Sequence, residues 1–564
     1  MAEDFMTAAV KRVEAQFAKS GVSESYAAFE RKENQIEMRD GVKLHTIYYF
    51  PKEDGTAEEK TYPVILTRTC YPGNDRIHRA YGEGLARRGY VYVYQYCRGR
   101  ENSEGKWEPN INERNDGIDT MDYLVEQPWC EILGYWGHSY TSMTGWAFAD
   151  AAEGKVAAMF LEDYGTDRFT SAYEKGCFRH DILTAWSMEN AEKPVNADYR
   201  ESCRYLPQVE VDEALWGQKV PSYREYITSP NPDAALWQTG WWKKLREIPS
   251  KTKVPIYLLS GWYDHHHGSS MKTWERLNEE TKQHSWLEIG AWNHFFQICL
   301  EDKEVLHPQN EEIPKMLEWF ELTLKRKEIP TQRIRAYEIG ADRWIDIVSD
   351  RLGEEGTAGS MTLYLDEKAL RADAPEQEKT RNYTFDPATP VESIGGEALL
   401  HTMPQIGSRL QPEPDYREDV LSFVSEPLKT PLQLNGRARV KLFASTDCED
   451  TAFTAKIMDV TPGGKAYNIR SSIATLEQGK TEAGAYEPGS VAEIQMDMWN
   501  IVYTIPAGSR IRVDISSSDF PQYHVHSNQK GLWSEQTENK VAHQTIHTGG
   551  VHASCVILPL MKQQ

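Results

Sequence analysis

The sequence predicts an α/β protein built from three parts. These are a mostly parallel sheet covered by helices, a helical segment inserted into it, and an all-β sandwich toward the C-terminal end. Three observations carry that reading. Strand and helix signals alternate from about residue 34 to 165. From about 168 to 250 the chain turns rich in Trp, Tyr and charge with helical patterning. After about 335 the hydrophobic period becomes two. The expected units are 1–167 and 251–335 for the α/β part, 168–250 for the insertion and 336–564 for the sandwich. A chain of 564 residues is long enough for two to four domains of roughly 150 residues each.

Phe5, Ala9, Val13 and Phe17 recur at helical spacing and predict an amphipathic helix docked on the body. IEMRDGVKLHTIYYF reads as a hairpin around Asp40-Gly41, and PVILTRT and GYVYVYQY as buried strands. NDGIDTMDYLVEQP has an apolar 3.6 period and ends before Pro128. EILGYWG is a short strand followed by the small-residue helix YTSMTGWAFADAA. In the insertion, the spacing of Trp237, Trp241 and Trp242 suits a helix packed on a core better than an aromatic binding wall. Strands resume at VPIYLLSGWYD (254–264) and SWLEIGAWNH (285–294), with a helix near 311–326. In the last part, Ala438, Val440, Leu442 and Ala444 alternate with Arg437, Arg439 and Lys441. Phe453, Ala455 and Ile457 repeat the pattern, as do Ile511, Val513 and Ile515, and PGG (462–464) and PAG (506–508) punctuate the runs.

Composition excludes several classes. Subtracting 85 acidic from 63 basic residues leaves −22, a charge that repels phosphate backbones and anionic lipid, so neither nucleic acid nor membrane is expected as a partner. Mean hydropathy is −0.63, and no apolar run approaches 18 residues. The eight cysteines are scattered without CxxC spacing, which suits neither a disulfide framework nor a zinc site. The first twenty residues lack the apolar stretch of a signal peptide, so a reduced, cytoplasmic protein is the expectation. Homo-oligomerisation is left open.

The sharpest chemical signal is GYWGHSYTS, 134–142. A buried strand runs into Gly137-His138-Ser139 and a helix follows at once, the context of a nucleophile elbow. The G-x-S-x-G pattern is incomplete, because Thr141 stands at the second glycine. A serine nucleophile needs a base, and the base an orienting carboxylate. Asp264 ends one later strand and His294 the next, in the order acid then histidine that such elbows use. Three chemically matched residues at successive strand ends favour a Ser139–His294–Asp264 triad.

These segments, with MRDGVKL, YQYCRGRENSEGKWEP, RVKLFASTD, DVTPGGKAYNI and RIRVDISSSDFP, resemble the CocE/NonD hydrolases over about residues 34 to 560. This is the superfamily of cocaine esterase and X-Pro dipeptidyl-peptidases. The resemblance implies an α/β-hydrolase core, an inserted helical cap and a C-terminal jelly roll. It assigns Ser139 as nucleophile, Asp264 as acid and His294 as base. It also assigns the Tyr71 hydroxyl and the Tyr140 amide as oxyanion donors. The family prefers glycine three residues after the serine, where this chain has the small Ser142.

The implied activity is ester hydrolysis through an acyl-enzyme, with no cofactor and no metal. The resemblance leads one to look two and three residues past Asp264 for carboxylates that hold an α-ammonium group. This chain has His266 and His267 there, after His265, which points to a neutral or anionic acyl group. One of these histidines is expected to meet a substrate carboxylate. The HHH run is read as a polar loop bordering the pocket, with His266 and His267 as candidate substrate contacts, because three consecutive residues cannot all point at one ion. Phe520, in SSSDFP, is a candidate pocket wall. The alternatives are an amidase, acylase or X-Pro-type peptidase with the same triad, acting on a small ester or amide. A catalytically silent ligand-binding member is the alternative from another class.

Overall fold

The computed structural model describes residues 5–52, 60–347, 358–398, 403 and 405–562. Ten strands form one sheet. They are β1 (Ala28–Glu37), β2 (Lys43–Lys52), β3 (Tyr62–Thr69), β4 (Val91–Tyr96), β5 (Cys130–His138), β6 (Val156–Glu162), β7 (Ile256–Gly261), β8 (Trp286–Gly290), β9 (Arg333–Glu338) and β10 (Arg343–Asp346). The order across the sheet is β1-β2-β4-β3-β5-β6-β7-β8-β9-β10. The pairs β1–β2, β2–β4 and β9–β10 are antiparallel, and the rest are parallel. The central strands β3, β4 and β7 are buried along nearly their whole length, as strands covered on both faces must be.

Helices α1 (Phe5–Lys19), α2 (Asp75–Arg87), α3 (Glu113–Val125), α4 (Tyr140–Trp146), α5 (Arg168–Ala172), α6 (Gly240–Lys251), α7 (His267–Arg276) and α8 (Glu312–Phe320) cover the sheet or belong to the insertion. On α1, Val13 and Phe17 are buried, while the side chain of Phe5 lies outside the described residues. Helix α3 begins at Glu113, ahead of its predicted start, because Glu113 and Asp116 are themselves buried, facing Arg68 at 3.3 and 3.9 Å.

The insertion between β6 and β7 is helical apart from a two-residue hairpin pairing Tyr173–Glu174 with Cys177–Phe178. Trp237 and Trp242 are buried in it, and Trp237 stacks on Tyr226 with ring centroids 6.0 Å apart.

The remaining strands form a twelve-stranded sheet and a two-stranded pair, Leu432–Gly436 with Ile501–Ile505. Strand Arg439–Thr446 alternates buried and part-exposed residues along its whole length. Strands Ala452–Val460 and Arg510–Ser516 are instead buried on both faces. Their polar faces are used inside the fold, where Arg512 pairs with Asp514 at 2.7 Å and Tyr503 bonds Asp459 at 3.1 Å.

One expectation needs correction. The boundary placed between 335 and 336 falls inside β9, and the first sheet runs on to Asp346. A period of two marks a strand but does not say which sheet it joins. Here the parallel register of Trp286–Ile289 with Arg333–Ala336 decided it.

Candidate active site

Strand β5 ends at His138 and α4 begins at Tyr140, leaving Ser139 alone between them at φ 56° and ψ −124°. This is the strained turn of a nucleophile elbow. A Cβ on Gly137 would lie 2.2 Å from the Thr141 carbonyl oxygen, so the tight return of the chain requires glycine there. Thr141 fits in place of the second glycine because its hydroxyl latches back. Its Oγ1 accepts the His138 amide at 2.6 Å and donates to the His138 carbonyl at 2.7 Å. Ser142 Oγ accepts the Glu162 amide at 2.7 Å and so ties the elbow to the end of β6. Both departures from the glycine pattern act as staples.

Asp264 lies three residues past the end of β7, and His294 four past the end of β8. Backbone bonds from Trp262 to the Gly290 carbonyl (2.8 Å) and from Tyr263 to the Trp292 carbonyl (3.1 Å) lock these two loops together. The Ser139 hydroxyl reaches His294 Nε2 at 2.9 Å, and His294 Nδ1 reaches Asp264 Oδ2 at 2.5 Å. The other oxygen, Oδ1, accepts the His266 amide at 2.6 Å. Asp264 is fully buried, and His294 is buried beside it. A carboxylate on Nδ1 leaves Nε2 as the nitrogen facing the hydroxyl, the tautomer that general-base catalysis needs.

The Tyr71 hydroxyl interacts with that of Ser139 and accepts the Trp186 indole N–H at 3.3 Å. Burial pushes its phenol far above the ordinary range, so it stays a proton donor. The Tyr140 amide heads α4 and has no intrahelical partner. The Tyr140 hydroxyl donates to Glu113 Oε1 at 2.9 Å and accepts the Asn110 amide at 2.8 Å, which pins the residue beside the nucleophile. Trp186 stacks on Tyr140, with planes 10° apart, and meets Trp107 edge-on. The sequence reading missed both tryptophans as site residues. Trp107 lies in the quoted KWEP segment, whereas Trp186 comes from the insertion and has no local signal.

The three consecutive histidines diverge. His265 packs on His294, with centroids 4.2 Å apart. His266 Nδ1 bonds Ser171 Oγ at 3.0 Å, its ring 5.9 Å from His294. His267 faces away, its Nε2 3.2 Å from the Asn500 carbonyl in the jelly roll and its Nδ1 3.4 Å from Ser260 Oγ. The expectation that His267 borders the pocket is therefore corrected: as the first residue of α7 it points into the interface with the β-domain. Phe520 is also fully buried, under the guanidinium groups of Arg200 and Arg204 at 5.0 and 4.8 Å. It fills the seam between cap and jelly roll.

Two groups that include His294 have ligand atoms within 4.8 Å of one another, His138–Asp163–His294 and Asp264–His265–His294. The second shares its carboxylate and imidazole with the hydrogen-bonded relay, so a metal there would take both away from Ser139.

Comparison with known proteins agrees with this geometry. The X-Pro dipeptidyl-peptidase (S15 family) profile matches residues 40–296, which hold Tyr71, Ser139, Asp264 and His294. The X-Pro dipeptidyl-peptidase C-terminal non-catalytic domain profile matches 337–557. The chain belongs to the CocE/NonD serine hydrolases. Cocaine esterase of Rhodococcus sp. (strain MB1 Bresler) is 27% identical over 577 residues, which covers 94% of this chain and 98% of that one. Among solved structures, an α-amino acid ester hydrolase matches with a TM-score of 0.82 at 22% identity, covering 95% of this CocE/NonD chain and 97% of the other. An aminopeptidase from a marine sediment archaeon, Thaumarchaeota archaeon, matches with a TM-score of 0.80 at 21% identity, covering 96% and 99%. At those identities the two structures speak for the shared fold of core, inserted cap and jelly roll.

Proposed function

We propose that this serine hydrolase cleaves carboxylic esters through an acyl-enzyme, with Ser139 as nucleophile, His294 as base and Asp264 as the orienting acid. The observation that carries the assignment is the continuous relay from Ser139 Oγ to His294 Nε2 at 2.9 Å and on to Asp264 at 2.5 Å, set on a positive-φ elbow. His294 takes the serine proton as the hydroxyl attacks the acyl carbonyl. The oxyanion that develops meets the Tyr71 hydroxyl and the Tyr140 amide, each worth about 3–4 kcal/mol where such donors have been removed. His294 then protonates the leaving group, and water releases the acyl group by the reverse sequence. Asp264 stays ionised and holds the imidazole tautomer.

The substrate in this reading is a small ester or amide, with neither nucleic acid nor lipid surface as partner. No helix among the described residues is long and apolar enough to cross a membrane. All eight cysteines are free thiols, the form a reducing compartment maintains, and we place the protein in the cytoplasm on that ground.

A fluorophosphonate probe tests the nucleophile: labelling of the native enzyme and none of Ser139→Ala is the expected result. Labelling that persists in Ser139→Ala would overturn the assignment. Hydrolysis of p-nitrophenyl acetate against the matching p-nitroanilide separates esterase from amidase or peptidase.

A further inference from the structure

Buried arginines in this protein follow a rule, and one breaks it. Arg68 faces Glu113 at 3.3 Å, Arg88 faces Glu24 at 3.7 Å, Arg179 faces Asp181 at 3.0 Å and Arg512 faces Asp514 at 2.7 Å. Arg470 is paired with Glu397. Arg168, 6% exposed, has no acidic partner among the described residues, and its Nε makes no hydrogen bond. The groups acting most on its charge are the phenols of Tyr226, Tyr164 and Tyr140. The carboxylate next to it in the chain is already taken, because Asp167 accepts from Arg276 at 2.8 Å and caps α5 through the Thr170 amide.

Its surroundings supply neutral acceptors and no anion, because the guanidinium donates to the phenol oxygens of Tyr226 and Tyr164. The buried Tyr164 hydroxyl faces the Arg168 guanidinium and has no acceptor for its own proton among the described residues. The Tyr164 ring lies 4.9 Å from that of His266, which in turn is 5.9 Å from the ring of His294. Arg168 and Ser171 are three residues apart on α5 and so share a face, and Ser171 is the residue that bonds His266. The aromatic rings of Tyr226 and Trp242, 5.3 and 5.8 Å from the guanidinium, sit near the outer limit of cation–π attraction. That attraction recovers only part of the desolvation cost of a buried, unpaired charge.

We propose that Arg168, with the Tyr164 hydroxyl and His266, forms a subsite for a carboxylate carried by the substrate. The preferred substrates are then half-esters or related monoanions. The subsite rests on the triad reading above, because it lies one ring away from His294.

The test compares paired substrates. On the acyl side the pair is 4-nitrophenyl hydrogen glutarate and 4-nitrophenyl pentanoate. On the leaving-group side it is 4-acetoxybenzoate and its methyl ester. In the native enzyme the anionic member of one pair is expected to have the higher kcat/KM by on the order of 10- to 100-fold, the range of a charge-assisted hydrogen bond. Whichever pair shows the preference identifies the side of the ester that carries the carboxylate. Arg168→Gln should bring that ratio to near one, Arg168→Lys should keep part of it, and Tyr164→Phe should lower it. Melting temperature and fluorophosphonate labelling report whether each variant is folded. If Arg168→Gln does not fold, the ratios in the lysine and Tyr164→Phe variants decide.

Equal kcat/KM within both pairs, or a preference that survives Arg168→Gln, overturns the subsite and leaves the hydrolase standing. Absence of labelling and of all turnover in the native enzyme overturns the hydrolase instead. Glutarate then still tests the subsite: it should raise the melting temperature of the native protein and not of Arg168→Gln, and no shift in either refutes it.

Discussion

Two buried polar regions of this protein are built on opposite terms. At the seam between the α/β core and the jelly roll, the charge of Arg470 is paired, although its Nε makes no hydrogen bond. It donates to the Trp262 carbonyl at 2.6 Å and the Asn500 carbonyl at 2.7 Å, and it pairs with Glu397. Arg179 reinforces the same seam by donating to the Glu397 carbonyl at 2.7 Å and the His265 carbonyl at 3.1 Å. Around Ser139 the polar groups are left incomplete. Ser139 holds a positive φ, the buried Asp163 carboxyl meets only His138 as a side-chain cation, at 3.7 Å, and Arg168 has phenols but no counter-ion among the described residues. Charge pairing fixes the position of one domain on the other, whereas an unpaired buried charge is what a site keeps for a reacting molecule.

Substitutions can break or sharpen that contrast. The largest effect belongs to the relay: Ser139→Ala and His294→Ala should each lower kcat for p-nitrophenyl acetate by about 10⁴-fold or more, with the melting temperature nearly unchanged. Near-native turnover in either would show that the relay is not the catalytic unit. The reverse signature belongs to the seam. Arg470→Met leaves Glu397 buried and uncompensated and should cost about 3–5 kcal/mol in urea unfolding, far more than any single change in the relay. An unchanged unfolding midpoint would erase the contrast.

Tyr71→Phe removes one proposed oxyanion donor and should lower kcat by about 10²- to 10³-fold while KM changes little. A loss confined to KM would make Tyr71 a binding residue only.

Smaller effects concern what the site holds in reserve. Burial, with the Asp264 charge adding to it, raises the Asp163 carboxyl well above its ordinary value near 4. Between that ordinary value and the raised one, the native state keeps a proton that the unfolded chain has released, so stability falls as pH rises through the window. Asp163→Asn should flatten this decline, and its melting temperature should gain on the native protein as pH is raised from 6 to 9. Parallel curves would show that Asp163 is ionised in the fold. Last, Ser139→Gly should relieve the positive φ and raise stability by about 1 kcal/mol while abolishing turnover, and a loss of stability would place the strain elsewhere.

Much of this arrangement was legible in the chain. The elbow could be read because a strand, a Gly-x-Ser and a small-residue helix are contiguous, and local geometry follows from local sequence. Asp264 and His294 could be read because each follows an apolar strand in the expected order. Trp186 and Arg168 could not, since both come from an insertion whose fold against the core has no periodic signature. His266 and His267 are neighbours in sequence, yet the start of α7 turns one toward the triad and the other toward Asn500.

The sequence by itself determined the strands, the elbow, the order of the relay residues and the switch to a two-residue period, because each rests on contacts within a few residues or on a repeating pattern. Only the tertiary structure decided which sheet received β9, which histidine faced the nucleophile and which buried arginine went without a counter-ion. Those outcomes depend on groups from separate elements meeting in a low-dielectric interior, where pairing is set by three-dimensional packing and leaves no periodic trace along the chain.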